Sequence, residues 1–299
     1  MDSQTLLISG TRMLNKANPI KRLNLVLIVS ICLGEALIMF FLPFFGALSN
    51  VLAAALDVAL LLLIMMPVVR WFVTEPMKKY HQDLDSAKHT ILARENQMLA
   101  ALNALASAND NDTGNHIIRT QQYVRLLAQR LKVMGHHPAI LTNEHIERLF
   151  KVAPLHDLGK VGIPDAILKK MGKLTAEERV QINQHSMIGE SILLAAQAEG
   201  SGSDLIATAL KITGHHHERW DGSGYPRKLI GESIPIEARI MAVADVFDAL
   251  VGSRPYKKAW TIEDAYIEIV SLSGTAFDPI VIDAFIAERH NFEAIANKH

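Results

Sequence analysis

His156 and Asp157 stand side by side in PLHDLGK, and His215, His216 and His217 run consecutively in GHHHERWDGSGYP. An imidazole and a carboxylate in tandem, at the end of an apolar helical stretch, are costly to bury without a partner, and a metal ion supplies one. His185 falls on the apolar stripe Ile182, His185, Gly189, Ile192, so it points into a core rather than to water. Asp245 is embedded in the apolar run RIMAVADVFDAL, where an unpaired carboxylate is among the most expensive groups to keep. Taken singly, a core histidine is usually just a hydrogen-bonded one. Together these residues point to metal chemistry. His81, His89, His136, His137, His145, His290 and His299 have no such neighbours and read as exposed or capping histidines.

Groups so far apart in the chain must be brought together by helices. Beyond Gly114 the pattern is helical, with little strict alternation to suggest strands. Thr175 with Glu178, and Thr261 with Asp264, have capping-box spacing, and Asp278-Pro279 reads as an N-cap followed by proline at the first helical position. The economical reading is an all-α domain over residues 109–299, its core drawn from stripes such as Val124, Leu127, Leu131 and Ile182, Ile188, Ile192. The DGSGYP stretch is a turn that sets a loop beside the site.

The chain ahead of this domain is of another kind. Residues 23–42 and 51–71 are nearly continuously apolar, and each matches the roughly 20 residues a helix needs to cross a bilayer. Arg12, Lys16, Lys21 and Arg22 precede the first segment, and Arg70, Lys78 and Lys79 end or follow the second. The turn between them has no basic residue. The reading is a two-helix transmembrane hairpin within residues 1–73, both chain ends and the large domain facing the cytoplasm. Glu35 and Asp57 lie at similar depth in it, facing each other or partners in a dimer. Residues 74–108 read as a helical stalk, with Leu84, Ile91, Met98 and Leu105 at heptad spacing for a weak parallel dimer. NDNDTG then ends it. The net charge of −1 gives no basic field for a nucleic-acid polymer, and the single cysteine, Cys32, excludes internal disulfides and thiolate clusters.

The chain resembles the HD-GYP domains, a branch of the HD phosphohydrolase superfamily. The blocks that carry the likeness are DTGNH at 112–116, LHDLGKVGIPD at 155–165, GKLTAEE at 172–178, HHERWDGSGYP at 216–226, IPIEARIMAVADVFDAL at 234–250, SRPYK at 253–257 and FDP at 277–279, with His185 between them. Matched residue by residue, the resemblance implies Asp112, His116, His156, Asp157, His185, His216, His217 and Asp245 as metal ligands. His215 matches no role. Eight ligands exceed what one ion takes with a position left open, so two or three ions are implied, with Asp157 as the candidate bridge. The family's trinuclear members commonly carry glutamate where this chain has the shorter Asp112, which favours two. Imidazole and carboxylate donors without sulfur suit iron or manganese better than zinc or magnesium.

HD-GYP proteins are typically bacterial and hydrolyse the second messenger cyclic di-GMP. The resemblance therefore implies a phosphodiesterase of the inner membrane giving linear pGpG and, with further turnover, GMP, by attack of a metal-activated water. Lys160, a turn beyond the ligand pair, would steady a phosphate oxygen or the nucleophile. Arg254 and Lys257 match the family's phosphate contacts, and Tyr225 lines the pocket or serves contacts with GGDEF-type partners. The alternatives are a silent cyclic di-GMP receptor or scaffold, or a phosphohydrolase for another nucleotide.

Overall fold

The computed structural model describes residues 19–45, 50–108, 114–198, 203–252 and 259–298. Among them the regular structure is helical, with one isolated bridge between Ser273 and Phe277. The chain divides into two compact units, Met1–Arg94 and Glu95–His299.

In the first unit, α1 (Pro19–Phe41) is followed by a short 3₁₀ turn, Leu42–Phe45, and then by α2 (Asn50–Val69). A π-helical turn, Arg70–Thr74, begins three residues after Pro67 and leads directly into α3 (Glu75–Ala108). The unit has two helices long and apolar enough to cross a membrane. They pack closely at Gly34, where an added Cβ would lie 3.3 Å from Leu61 Cδ1. Elsewhere they turn large apolar side chains outward, among them Leu33, Phe40, Leu63 and Met66. Glu35 is exposed and Asp57 half-buried. On α3, Leu84 and Ile91 stay exposed.

The last turns of α3 belong to the second unit, where Leu99 is buried and Met98 and Leu102 pack on the core. The unit continues with α4 (Gly114–Val133) and α5 (Asn143–Val152), then a 3₁₀ segment over Ala153–Gly162. Next come α6 (Asp165–Leu168), α7 (Ala176–Asn183), α8 (His185–Ala198) and α9 (Asp204–Thr213). It closes with α10 (Ile236–Val251), α11 (Ile262–Ser271), α12 (Pro279–Ala287) and α13 (Arg289–Lys298). Val124, Leu127 and Leu131 of α4 are fully buried, as expected from their spacing. Beside them Tyr123 stacks on Phe292 at 4.4 Å and meets Phe247 edge-on at 5.3 Å. The caps form as the spacing predicts: Thr175 and Glu178 make a reciprocal capping box, Thr261 accepts from the Asp264 amide, and Asp278 caps α12 ahead of Pro279.

Two expectations need correction. Ile182, Ile188 and Ile192 are only half-buried, because the helix breaks at Gln184 and the inward stripe of α8 becomes His185, Gly189 and Leu193. His145 is neither exposed nor a side-chain cap. It is buried, with Nε2 3.1 Å from Glu237 Oε1, and Lys211 Nζ reaches the same oxygen at 2.8 Å. Burial pushes the Glu237 carboxyl up, but the hydrogen bonds from His145 and Lys211 outweigh it and bring it down to about 2.

The segment that carries His156 and Asp157 is fixed by a close backbone crossing. A Cβ on Gly159 would sit 1.8 Å from His185 O and 2.5 Å from Gly189 N, and one on Gly189 would sit 2.5 Å from Thr213 Cγ2. Thr213 Oγ1 in turn donates to Leu155 O at 2.9 Å. The 3₁₀ segment, α8 and α9 therefore meet at glycines. Gly159→Ala is expected to force these backbones apart and to lower stability by about 3 kcal/mol, the upper end of ordinary overpacking. Chemical denaturation of the metal-free protein measures this, and a midpoint unchanged from wild type refutes it.

Candidate metal centre

Five pieces of chain deliver the site. His116 lies in the first turn of α4, His156 and Asp157 in the 3₁₀ segment, and His185 opens α8. His216 and His217 follow in the turn after α9, and Asp245 is mid-way along α10. They gather into two adjacent groups. One comprises His116, His156 and Asp245, the other Asp157, His185, His216 and His217, and within each group the ligand atoms lie within 4.8 Å of one another. The rings form a continuous series, His116 to His156 at 5.7 Å, His156 to His216 at 5.2 Å and His216 to His185 at 5.5 Å between centroids.

Asp157 joins the groups. Its Oδ2 is 3.0 Å from His156 Nε2, in the first group, while its Oδ1 is 3.4 Å from His185 Nε2, in the second. Asp245 Oδ1 is 3.7 Å from His156 Nε2. His116, His156, His185 and His216 are buried, whereas His217, Asp157 and Asp245 are part-exposed.

The imidazoles are aimed. Nδ1 of His156, His185 and His216 is hydrogen-bonded to the carbonyl oxygens of Ala153, Ile182 and Ile212 at 2.9, 2.7 and 3.1 Å. His116 Nδ1 is bonded to Asp248 Oδ2 at 2.6 Å. Each Nδ1 therefore carries a hydrogen, and each Nε2 turns inward. The Nε2 atoms of His116, His156 and His216 are buried without an aligned hydrogen-bond partner. Such orphans are expensive unless something binds them, and outer hydrogen bonds that fix the tautomer are the usual support of metal-ligating histidine. The His/Asp clusters thus fit a divalent metal.

Electrostatics agree. Burial lowers His216 well below its ordinary value and brings His217 to about 4, so both are neutral donors near pH 7. Burial alone would raise Asp157, but the Lys160 ammonium 2.7 Å from Oδ2 and the neighbouring His156 hold it well below the usual carboxylate range. His217 stacks on the Tyr225 ring at 4.8 Å. Tyr225 thus lies against one of the clustered imidazoles, and burial pushes its hydroxyl up.

The loop carrying Tyr225 is held from both sides. Trp220 and Asp221 amides donate to Ala276 and Thr275 carbonyls at 3.2 and 2.9 Å, and Gly231 donates back to Trp220 O at 2.9 Å. The buried Glu218 carboxylate accepts from the amides of Arg227 and Leu229 at 2.6 and 3.0 Å. Arg239, buried, pairs with Asp278 at 2.5 Å and lies over the Trp220 ring.

Of the residues singled out by sequence, His116, His156, Asp157, Lys160, His185, His216, His217, Tyr225 and Asp245 come together here. His215 is turned to Lys211 O at 3.1 Å and is not in either group. Asp112, Arg254 and Lys257 lie outside the described residues. Sequence reasoning missed Asp248 and Arg119, which stand behind His116. Their only sequence signal is register, since Arg119 falls three residues after His116 and Asp248 three after Asp245.

Comparison with known proteins gives this arrangement its context. A cyclic di-GMP phosphodiesterase of Vibrio cholerae is 46% identical over 213 residues, covering 71% of this chain and 43% of that one. A probable cyclic di-GMP phosphodiesterase of the same organism is 47% identical over 205 residues, covering 68% and 46%. A third Vibrio protein, 3′3′-cGAMP-specific phosphodiesterase 2, is 39% identical over 188 residues, covering 63% and 34%. The chain spans less than half the length of each of these curated relatives. The family model for the HD domain matches residues 90–281, well over half the chain. The chain belongs to the HD domain family, and the sequence blocks around its clustered histidines are those of the HD-GYP branch.

Proposed function

We propose that this chain is a membrane-anchored, metal-dependent phosphodiesterase that hydrolyses cyclic di-GMP to linear pGpG, with GMP as a further product. The observation that carries this reading is Asp157, with one oxygen toward each of two adjacent ligand groups. The relatives named for cyclic di-GMP support the substrate. In this reading two ions, iron or manganese, are held by His116, His156 and Asp245 on one side and by His185, His216 and His217 on the other, with Asp157 between and Asp112 available for a third. When bound, such ions supply Lewis-acid charge for phosphoryl oxygens and activate water at neutral pH.

The chain's own groups do the rest. Lys160 balances the charge of Asp157 and presents an ammonium to a non-bridging phosphate oxygen. Tyr225 fixes the His217 ring and forms a wall of the pocket, and Arg254 and Lys257 bind phosphate. The apolar first unit supports an anchor in a bacterial inner membrane with both ends cytoplasmic, and the exposed Leu84 and Ile91 support pairing of α3 with a second copy. GGDEF-type partners would meet the loop over residues 218–231.

The test is turnover by the full chain in detergent, loaded with Mn²⁺ or Fe²⁺ under low oxygen, beside a His156→Ala, Asp157→Ala variant. The expected result is pGpG from the wild type and none from the variant. Bound metal with no turnover of any cyclic dinucleotide overturns the enzyme reading in favour of a receptor, and turnover of 3′3′-cGAMP alone replaces the substrate. Lys160→Met is expected to keep its ions while losing roughly 10²–10³-fold in kcat, the usual cost of removing one group that stabilises developing charge.

Metal uptake should also move a proton. In the metal-free chain burial lowers His156, but Asp157 and Asp245 outweigh it and raise the imidazole to about 9, above its ordinary 6.5. Nδ1 already donates to Ala153 O, so the added proton sits on Nε2 and is present throughout neutral pH. An ion must displace it. Calorimetric Mn²⁺ titration at pH 7 in two buffers of different ionisation enthalpy is expected to give release of about one proton per chain from this group, with affinity rising toward pH 9. Proton-neutral uptake at pH 7 refutes the assignment.

A further inference from the structure

The group formed by His116, His156 and Asp245 has one ligand fewer, among the described residues, than its neighbour. Its His116 is supported differently from the other clustered imidazoles. Where His156, His185 and His216 lean on backbone carbonyls, His116 Nδ1 bonds to a carboxylate, Asp248 Oδ2, at 2.6 Å. That carboxylate is 2% exposed. It is gripped by Arg119 through both oxygens, Nε to Oδ1 at 2.5 Å and Nη2 to Oδ2 at 2.8 Å. Arg119 lies one helical turn from His116 on α4, and Asp248 one turn from Asp245 on α10. Both members of the pair are thus in register with ligands of the same group, and neither touches the four-ligand group's imidazoles through any contact described above.

We propose that Asp248 and Arg119 are positioning residues for the ion of the three-ligand group. The carboxylate fixes the hydrogen of His116 on Nδ1, aims Nε2 at the site and makes that imidazole a stronger donor than one bonded to a neutral carbonyl. The guanidinium fork holds the carboxylate in one orientation and keeps it anionic. A stronger donor tightens the hold on the ion of this group. This inference rests on the metal reading proposed above. It assigns no contact with substrate to either residue.

The test is metal content, separate from turnover. The full chain in detergent is titrated anaerobically with Mn²⁺ against a chelating indicator, and the loaded protein is examined by electron paramagnetic resonance. The wild type is expected to take two ions and to give the signal of a coupled pair. Asp248→Asn, nearly the same shape without the charge, is expected to weaken one of the two ions by roughly 10–100-fold, the usual effect of losing an outer partner of a ligand. Its spectrum should become that of an isolated ion. Because Asp248→Asn strands a buried guanidinium, the double variant Arg119→Gln, Asp248→Asn is the companion, removing both charges together. It is expected to lose the same ion. A coupled pair with wild-type affinity in either variant overturns the proposal and leaves the contact as packing between α4 and α10.

Discussion

The centre depends on a place where two backbones come closer than side chains allow. Gly159, Gly189 and the carbonyl of His185 meet where the 3₁₀ segment crosses α8, and Thr213 locks α9 onto the same segment. No methyl group fits there. The crossing sets the distance between His156 and Asp157 on one strand of chain and His185 on another, and it fixes where His216 and His217 leave α9. Interiors pack at crystal-like density and transmit small displacements, so the spacing of the imidazoles is a property of backbone contact more than of the imidazoles themselves.

The second constraint is electrostatic. Four buried imidazoles and two carboxylates crowd a small region, and the imidazole Nδ1 atoms are committed outward. The groups balance one another: burial keeps His216 and His217 neutral, while the Asp157 and Asp245 carboxylates raise His156 and Lys160 leans on Asp157. A divalent cation would replace both the proton and part of the work of Lys160, and would free that ammonium for another anion. The same groups that balance charge at the centre are those an anion would meet.

Much of this was legible in the sequence, for identifiable reasons. Tandem His156-Asp157 and an acid in an apolar helix are locally conspicuous, and caps such as Thr175 with Glu178 obey short-range rules. The break at Gln184 was not legible, because Ile182, His185, Gly189 and Ile192 fit one helical stripe as well as two shorter helices. His145 escaped because its partner Glu237 is distant in the chain. Asp248 and Arg119 escaped for the opposite reason: they sit one helical turn from recognised ligands, and only the meeting of α4 with α10 shows that they face each other. Long-range pairing is what periodicity does not encode.

The loop that bears Tyr225 is pinned by backbone to the stretch before α12 and internally by the Glu218 carboxylate. These bonds hold the loop as a rim beside the clustered imidazoles. It acts as a template, so little ordering entropy is lost at that edge on association.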